Sequence, residues 1–345
     1  MPARPLSDAL LREALDARAR HGSVVAAATA LGLSPTTLGS RLKIAQARHV
    51  TAFDPLAVPD VLPSADELLA RRATEFARVS RAKAARALMP VTVRVDGPVG
   101  LAFVGDPHLD DAGTDIDLLR RHLGLLAAAE AVLPIGMGDY LNNFGAIAKL
   151  AFLEGQQSTT AAEAWVLVEW FVRAVPWLVL VGGNHDAWSG DGDPLHWIAA
   201  SARTAYVPHG ARLGLHLPQG RIVRVNSRHD WRGHSQWNTA HGISKAAQLG
   251  YRDHLLTAGH THVSGYQIVR DPLTGLLTHC LRIGSYKAHD RYAEQKGFAA
   301  ATFTVCPIVV VRPRFDDDDA RFLTVHFDPE SGIDYLSWLR GRKSE

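Results

Sequence analysis

The first 50 residues carry the apolar spacing of short helices that pack against one another. Ala28, Gly32 and Leu38 stand four and six residues apart, where two packed helices need a small contact residue, a tight turn and an inward apolar side chain. Ser34 follows the turn and suits the position that caps the second helix. We therefore predict a small helical domain over residues 1–50.

Residues 51–90 have the composition of a linker that leads into a basic helix. Three prolines interrupt residues 51–63, and proline does not continue a helix. Ser64 and Glu67 then match a capping box, which predicts a helix start. That helix contains the positive residues Arg71, Arg72, Arg78, Arg81, Lys83 and Arg86. Both a solvated face and a face turned towards nucleic acid would explain this charge.

From Val91 onwards the pattern changes to apolar runs typical of strands, and four such runs stop abruptly at polar residues. The runs are GLAFVGDPHLDD, VLPIGMGDYLNN, WLVLVGGNHDAW and HLLTAGHTHVSG. Helical stretches separate the first three, which predicts a sheet with helical cover. Such sheets place ligand sites at the carboxyl ends of their strands. We therefore expect these residues to converge: Asp106, His108, Asp139, Asn184, His185, His260 and His262.

The residue types at these strand ends indicate metal ligation. Asp106 and His108 can reach one ion from a single turn, and the two carboxylate oxygens of Asp139 can bridge two ions. Mixed nitrogen and oxygen ligands suit manganese, iron or zinc better than calcium. Two ions about 3.5–4 Å apart clamp the attacking and leaving oxygens of a phosphoryl displacement and lower the pKa of a bridging water towards about 7. We expect two divalent metal ions as cofactors, with Mn²⁺ ahead of iron and zinc.

These motifs, in this order, resemble those of the calcineurin-like metallophosphoesterase superfamily. The likeness spans roughly residues 99–265 and rests on Asp106-Pro-His108, Gly138-Asp139, Gly183-Asn184-His185-Asp186 and Gly259-His260-Thr-His262. It implies an α/β fold, a two-sheet αββα sandwich, over residues 91–345, preceded by the small helix-turn-helix-like region. A helical region ahead of the esterase domain is also similar to phosphoesterases carried by phages and prophages.

The resemblance also implies a role for each matching residue. The first metal ion would be held by Asp106, His108 and His262, the second by Asn184 and His260, with Asp139 bridging. His185 matches the histidine that protonates the leaving group or steadies the phosphate. Asn142 stands where the phosphoprotein phosphatases of this superfamily carry an aspartate that pairs with this histidine. An amide can hydrogen-bond His185 without the charge that stabilises an imidazolium, which argues against protein phosphatase activity.

The family has one more histidine ligand, for which the segment RIVRVNSRHDWRGHSQWNTAHG offers His229, His234 and His241. His229 directly follows the predicted strand at 222–225, as a strand-end ligand should, so we favour it and rank His234 second. His234 and Trp231 are then predicted to line the substrate cleft, with ordinary loop packing as the alternative.

Composition narrows the class of protein. With 47% hydrophobic and 21% charged residues, the 345-residue chain matches soluble globular proteins and can bury a core. No segment approaches the roughly 18 uncharged apolar residues of a membrane span, and the N-terminal sequence lacks the apolar run of a secretory signal. Two cysteines are too few for a disulfide framework. We expect a cytoplasmic protein without a membrane partner.

Positive charge is concentrated in the N-terminal quarter of the chain. Residues 1–90 contain 13 Lys/Arg against 8 Asp/Glu, whereas the remainder contains 24 against 27. Lysine and arginine supply most non-specific affinity for nucleic acid. The predicted helix pair also resembles the helix-turn-helix of bacterial and phage DNA-binding proteins, with a plain helical interaction module as the alternative. The resemblance implies DNA contacts from the second helix through Thr36, Thr37, Ser40, Arg41 and Lys43.

Three functions follow from these patterns. We predict a two-metal phosphoesterase that hydrolyses phosphodiester bonds by attack of a metal-bridging hydroxide, and specifically a nuclease acting on DNA. The first alternative is an esterase for a small nucleotide-type substrate or a phosphoprotein, in which the N-terminal region is a protein-interaction arm. The second is a DNA-binding regulator with a silent metal domain, and the complete set of candidate ligands counts against it.

Overall fold

The structure is a computed structural model that describes residues 6–51, 62–148, 150, 153, 157–189, 194–235, 237–289 and 302–342. The chain divides into two compact units, residues 1–77 and 78–345. The predicted linker falls largely on residues 52–61, which lie outside the described residues. None of the helices in the described ranges is long and apolar enough to cross a membrane.

The first unit contains three short helices around a small core. They are α1 (Asp8–His21), α2 (Val24–Ala30) and α3 (Pro35–Ala47). The buried residues are mainly alanines, with Leu38 of α3 among them, so the helices approach closely. Gly32 has φ +64° in the turn between α2 and α3, a left-handed conformation that favours glycine. The helical N-terminal region predicted from the sequence is therefore present.

A fourth helix, α4 (Ala65–Ala85), crosses the division between the two units. It begins at the predicted capping box, because the Glu67 carboxylate accepts the Ser64 backbone N–H at 2.8 Å and the Ser64 hydroxyl accepts the Glu67 backbone N–H at 3.3 Å. No residue of α4 is buried. Its basic side chains are therefore open to solvent.

The second unit is built on two six-stranded mixed sheets. The first sheet has the order β12-β11-β2-β3-β4-β5, in which β2 to β5 run parallel and β11 is antiparallel to both β2 and β12. Its strands are β2 (Val99–Val104), β3 (Val132–Gly136), β4 (Val179–Gly182), β5 (Tyr206–Pro208), β11 (Ile308–Val311) and β12 (Leu323–His326).

The second sheet has the order β1-β6-β7-β8-β10-β9. Its strands are β1 (Met89–Thr92), β6 (Gly210–His216), β7 (Ile222–Arg228), β8 (Leu255–Ala258), β9 (Gly265–Arg270) and β10 (Leu277–Arg282). The central strands β7, β8 and β10 are parallel neighbours. Strand β1 pairs with β6 from Met89, so the sheet begins two residues before the predicted start of the domain.

Helices cover the outer faces of both sheets. The remaining helices are α5 (Ile116–Ala128), α6 (Ala161–Ala174), α7 (Asn184–Ala187), α8 (Pro194–Ser201), α9 (His241–Leu249) and α10 (Pro329–Gly341). Helices α5, α6, α8 and α10 pack on the first sheet, α9 packs on the second, and a continuous apolar core lies between the sheets. The predicted α/β fold with two packed sheets is thereby confirmed. Parallel strands from both sheets end at the loops that carry the polar motifs.

Candidate metal centre

Side chains with metal-ligand chemistry meet where five parallel strands end. Asp106 and His108 follow β2, Asp139 follows β3, and Asn184 opens α7 after β4; His229 follows β7, and His260 and His262 follow β8. All the carboxylates among them are buried. Each motif therefore stands at the sheet edge where its strand-end position predicted it.

One group of ligand atoms surrounds His108. The Nε2 atoms of His108 and His262 face each other at 3.0 Å. An Asp106 carboxylate oxygen, Oδ2, lies 3.8 Å from His262 Nε2, and Asp139 Oδ2 lies 4.0 Å from His108 Nε2. We call Asp106, His108, His262 and Asp139 the first ligand group.

A second group of ligand atoms surrounds His229. Its Nε2 atom lies 3.0 Å from Asn184 Oδ1, 3.2 Å from His260 Nδ1 and 3.1 Å from Asp139 Oδ2. Asp139, His229 and His260 place one ligand atom each within 4.8 Å of one another. The same Asp139 oxygen, Oδ2, thus belongs to both ligand groups.

The residues present fit a pair of divalent cations. A neutral imidazole carries one N–H donor, so ring nitrogens and carboxylate oxygens that crowd together cannot all hydrogen-bond one another. Asp106 Oδ1 is buried without a hydrogen-bond partner in the described part of the chain, which is costly unless another group satisfies it. Imidazole, carboxylate and amide donors together suit Mn²⁺, iron or zinc. This donor set therefore agrees with the expectation of divalent metal ions, without selecting among these metals.

The backbone at the ligand positions is held in an uncommon conformation. His108, Asp139, His260 and His262 have φ angles of 40°, 50°, 71° and 55°, in the left-handed region that costs residues with a side chain free energy. Such strain persists where the surrounding structure over-determines it and clusters at functional sites. The strand ends are thus shaped for the positions of these side chains.

Two motif glycines allow the carboxylates to come close to neighbouring turns. A Cβ atom on Gly183 would collide with Asp139 Oδ1, and one on Gly259 would collide with Asp106 Oδ1. The Asp139 Oδ1 atom instead accepts the backbone N–H of His185 at 3.0 Å. That bond occupies Oδ1 and leaves Oδ2 for the two ligand groups.

Asp186 holds the Asp139 turn, a role that sequence reasoning missed. Its Oδ2 accepts the backbone N–H groups of Asp139 at 2.9 Å and Gly183 at 2.7 Å, and its Oδ1 accepts that of Tyr140 at 3.1 Å. Burial and the neighbouring Asp139 raise the pKa of this carboxyl to about 8. The backbone N–H donors act in the opposite direction, because they stabilise the carboxylate anion. Its position at the end of the Gly-Asn-His-Asp motif was the available signal.

Electrostatics within the groups favour positive charge. Burial opposes protonation of His229, but Asp139 and Asp106 outweigh it and raise the pKa of the imidazole to about 10. Burial raises the pKa of Asp106 to about 6. At Asp139, burial acts to raise the pKa of the carboxyl. The neighbouring histidines, first of all His229, outweigh burial and lower that pKa. In the protein without metal, a proton on His229 therefore supplies part of the charge that cations would bring.

His185 lies beside both ligand groups and points its free ring edge at them. Its Nδ1 lies 2.5 Å from the backbone oxygen of Asn142, and its Nε2 lies 3.8 Å from Asp139 Oδ2. Burial lowers the pKa of the imidazole. The side chain retains 18% exposure, so a substrate can reach it. The position suits the predicted proton donor.

The expectation that the Asn142 amide hydrogen-bonds His185 is wrong. The Asn142 amide nitrogen instead donates to Asp111 Oδ2 at 2.8 Å, and the same oxygen lies 2.9 Å from Lys287 Nζ. The part of Asn142 that hydrogen-bonds the His185 imidazole is its main-chain carbonyl. Asp111 and Lys287 were not singled out from the sequence, because nothing local connects the segment after β2 with the segment after β10.

The two histidines weighed against His229 stand elsewhere. His234 is 63% exposed and lies 3.8 Å from Asp230 Oδ2, while His241 begins helix α9. Trp231 is 5% exposed and packs in the core between the second sheet and α9, with its indole N–H donating to the Thr257 carbonyl at 3.0 Å. The structure therefore brings His229 to the ligand groups, and neither His234 nor Trp231 is a member of them.

The residues predicted to contact DNA lie on α3 of the first unit. Thr36, Thr37, Ser40 and Lys43 are exposed, and Arg41 is half-buried. The Ser34 side chain caps the helix by accepting the Thr37 backbone N–H at 3.0 Å. The Thr37 hydroxyl also lies 2.7 Å from the Ser34 hydroxyl, which ties that side chain to the cap.

Comparisons with known proteins add only distant likenesses to this picture. No protein-family model matches the chain, and no curated protein matches it. A crystal structure of a nuclease MPE from Pseudomonas putida shares 17% identity, covers 66% of this chain and 87% of its own, and gives a TM-score of 0.32. Vps29 from Chaetomium thermophilum shares 11% identity over 66% of this chain and 92% of its own, with a TM-score of 0.29. At these TM-scores neither likeness bears on function.

Proposed function

We propose that this protein is a metallophosphoesterase of the calcineurin-like type, which hydrolyses phosphodiester bonds with two divalent ions and acts on DNA. The observation that carries the proposal is the pair of ligand groups that share the Asp139 Oδ2 atom. One bridging carboxylate oxygen between two sets of nitrogen and oxygen donors is the arrangement that a two-metal centre requires. Mn²⁺ is the first choice of metal, with iron and zinc as alternatives.

The roles of the side chains follow from their positions. When bound, the two ions supply hydroxide at neutral pH and neutralise charge on the phosphate. The first and second ligand groups would hold one ion each, with Asp139 between them. His185 would protonate the leaving oxygen. A carbonyl oxygen can only accept, so His185 Nδ1 donates to Asn142 and the transferable proton is at Nε2.

The first unit supports the choice of DNA as substrate. Helix α3 follows a turn with Gly32 at φ +64° and carries an exposed polar face that includes Lys43. In helix-turn-helix proteins the helix after such a turn enters the major groove. Residues 1–90 also carry the excess of positive charge. We propose that this unit delivers the esterase unit to DNA.

The orientation of His185 by a main-chain carbonyl at Nδ1 supports a diester substrate. In the phosphoprotein phosphatases an aspartate occupies the position of Asn142. Here that side chain is turned to Asp111, and the imidazole is oriented by a neutral carbonyl. Burial lowers the pKa of His185, which makes its imidazolium a stronger acid towards the leaving oxygen.

The proposal is tested with metal-stripped full-length protein reloaded with Mn²⁺. We expect hydrolysis of an aryl phosphodiester and of DNA, with both activities lost in a chelator and in the Asp139→Ala variant. Single-stranded and double-stranded DNA are compared in parallel. Hydrolysis of the aryl phosphodiester without any cleavage of DNA would transfer the assignment to a small nucleotide-type substrate. Inactivity of the Mn²⁺-loaded protein towards every diester would refute the proposal.

A further inference from the structure

A cavity lies on the outer face of the second sheet, beside the end of β7. Its volume is about 330 Å³, and its lining includes Arg228, Trp231, Arg232, Lys245, Leu249 and Tyr251. Trp231 and α9 belong to the small core on this outer face. The cavity is therefore separate from the apolar core between the sheets, and none of the ligand side chains lines it. We call it the β7–α9 pocket.

The floor of the β7–α9 pocket is apolar and aromatic. The rings of Trp231 and Tyr251 meet edge to face with their centroids 5.0 Å apart. Trp231 is fixed by the hydrogen bond from its indole to Thr257. Tyr251 is 38% exposed and Leu249 is 77% exposed. A firmly seated aromatic pair with one accessible ring is a platform on which another flat ring can stack.

Three cations surround this floor, and Asp230 is the acid that lines the pocket with them. Arg228 lies over the Trp231 ring, with its guanidinium carbon 5.0 Å from the centroid, and Arg232 and Lys245 are exposed. Among the described residues, none of these three forms an ion pair, since they appear in no contact with a carboxylate within 4.0 Å. Their positive charge is therefore available to a ligand.

Neighbouring charges on the same sheet are paired, which sets these three cations apart. Arg212 and Arg224 pair with Asp253, and Arg252 pairs with Asp271. The acid in the pocket lining, Asp230, is instead contacted by Arg282 at 3.4 Å and by His234 at 3.8 Å.

The carboxyl end of α9 would repel an anion through its partial negative charge. Arg252 covers that end by donating to the Ala247 carbonyl at 3.1 Å. The pocket as a whole therefore favours an anionic ligand.

The pocket and the candidate metal centre are lined by consecutive residues of the chain. Side chains alternate along a strand, so Arg228 and Asp230 turn to the outer face while His229, between them, reaches the ligand groups. Arg282 connects the two sites, because it contacts Asp230 and donates to the Gly259 carbonyl at 2.8 Å, next to His260. A chain that extends from the metal centre around the sheet edge would meet the pocket.

We propose that the β7–α9 pocket binds a single-stranded segment of a polynucleotide whose scissile phosphate is at the metal centre, an inference that rests on the proposed diesterase function. Phosphates of the strand are held by Arg228, Arg232 and Lys245. A base stacks on Tyr251 against Leu249. Cationic grooves with an aromatic platform bind single strands through these two contacts, and each base has a face that can stack. A small monomeric diester has nothing to place in this pocket.

The test compares full-length wild-type protein with the double variant Arg232→Glu/Lys245→Glu. Binding of a fluorescent oligothymidylate is measured by anisotropy in chelator, so that the result does not depend on catalysis. We expect the variant to bind about tenfold more weakly and with a shallower salt dependence, because two phosphate contacts are lost. The control is Arg120→Glu, at an exposed residue of α5 on the other side of the sandwich, and it matches the charge change of each single variant, Arg232→Glu and Lys245→Glu, measured beside the double variant.

A second arm locates the strand. An oligothymidylate carrying bromodeoxyuridine is irradiated with the protein, and crosslinked peptides are identified by mass spectrometry. The proposal predicts a crosslink to the peptide that contains Tyr251, lost in Tyr251→Leu. Equal affinities of the double variant and the Arg120→Glu control, or crosslinks confined to other segments, would overturn it. Failure of the diesterase proposal is recognised separately, as inactivity of the Mn²⁺-loaded wild type towards the aryl phosphodiester.

Discussion

The Nδ1 atom of His185 lies 2.5 Å from the backbone carbonyl oxygen of Asn142. This contact fixes the imidazole ring with Nε2 turned towards Asp139. Because the partner is main chain, its position depends on the loop and not on the identity of residue 142. The loop is in turn fixed by the Asn142 backbone N–H, which donates to Asp110 Oδ1 at 2.8 Å.

Replacement of His185 should separate catalysis from metal binding. We expect His185→Ala to keep its metal content and to lose turnover of an aryl phosphodiester by about 10²–10⁴-fold, the usual effect of removing a general acid. Metal content is measured by mass spectrometry and turnover by steady-state kinetics. If the variant lost metal in proportion to activity, His185 would have to be reassigned as a ligand.

Replacement of Asp139 should remove both ions together. Asp139 Oδ2 belongs to both ligand groups, so Asp139→Ala is expected to lower the metal stoichiometry from two to below one and to abolish activity. Asp334→Ala, an exposed acid on α10, is the matched control. A stoichiometry of one in Asp139→Ala would show that only one group depends on this residue.

Replacement of Asp186 tests whether its hydrogen bonds to the backbone hold the Asp139 turn in the position that metal binding needs. Asparagine offers a single acceptor oxygen in place of two, so at least one of three backbone N–H groups is left without its partner. We expect Asp186→Asn to lose about 1–3 kcal/mol of unfolding free energy and about 10–100-fold in metal affinity. Urea denaturation in chelator and metal titration measure the two effects. Unchanged metal affinity would limit Asp186 to a role in stability.

Metal binding should release protons, and its affinity should rise with pH. His229 has a pKa raised to about 10 in the protein without metal, so it is protonated at neutral pH and must lose that proton to become a ligand. Between pH 6 and pH 8 we expect affinity to increase about tenfold per pH unit for each proton released. Calorimetry in buffers of different ionisation enthalpy counts these protons. Affinity independent of pH would mean that His229 is already neutral.

Charge reversal on α3 tests the DNA contacts of the first unit. We expect Lys43→Glu to weaken binding to duplex DNA of any sequence and to reduce the salt slope by about 0.9, because one phosphate contact is lost. Arg20→Glu, an exposed residue at the end of α1, supplies the same charge change outside α3. Equal losses in both variants would attribute the effect to net charge.

The strand-end ligands could be predicted because each one follows an apolar run directly. For His229, the strand predicted at 222–225 pointed to a ligand shortly after it; in the structure the strand extends to Arg228 and the fold brings the next residue to Asp139. The contacts of Asn142 with Asp111 and of Asp111 with Lys287 could not be predicted, since they join loops far apart in sequence. The sequence around Trp231 could not distinguish a cleft from a core, because an indole in a loop suits both. The position of α9 places this side chain in a core.

Gly183 and Gly259 give this centre an unusual pattern of tolerance to substitution. Neither residue provides a ligand atom, yet at each position a single added carbon would occupy the space of a carboxylate oxygen. In a saturation mutagenesis experiment that selects for activity, these two positions should accept almost nothing, while the exposed residues of the same loops vary freely. The candidate metal centre is thus specified as much by volume that must stay empty as by the side chains that converge on it.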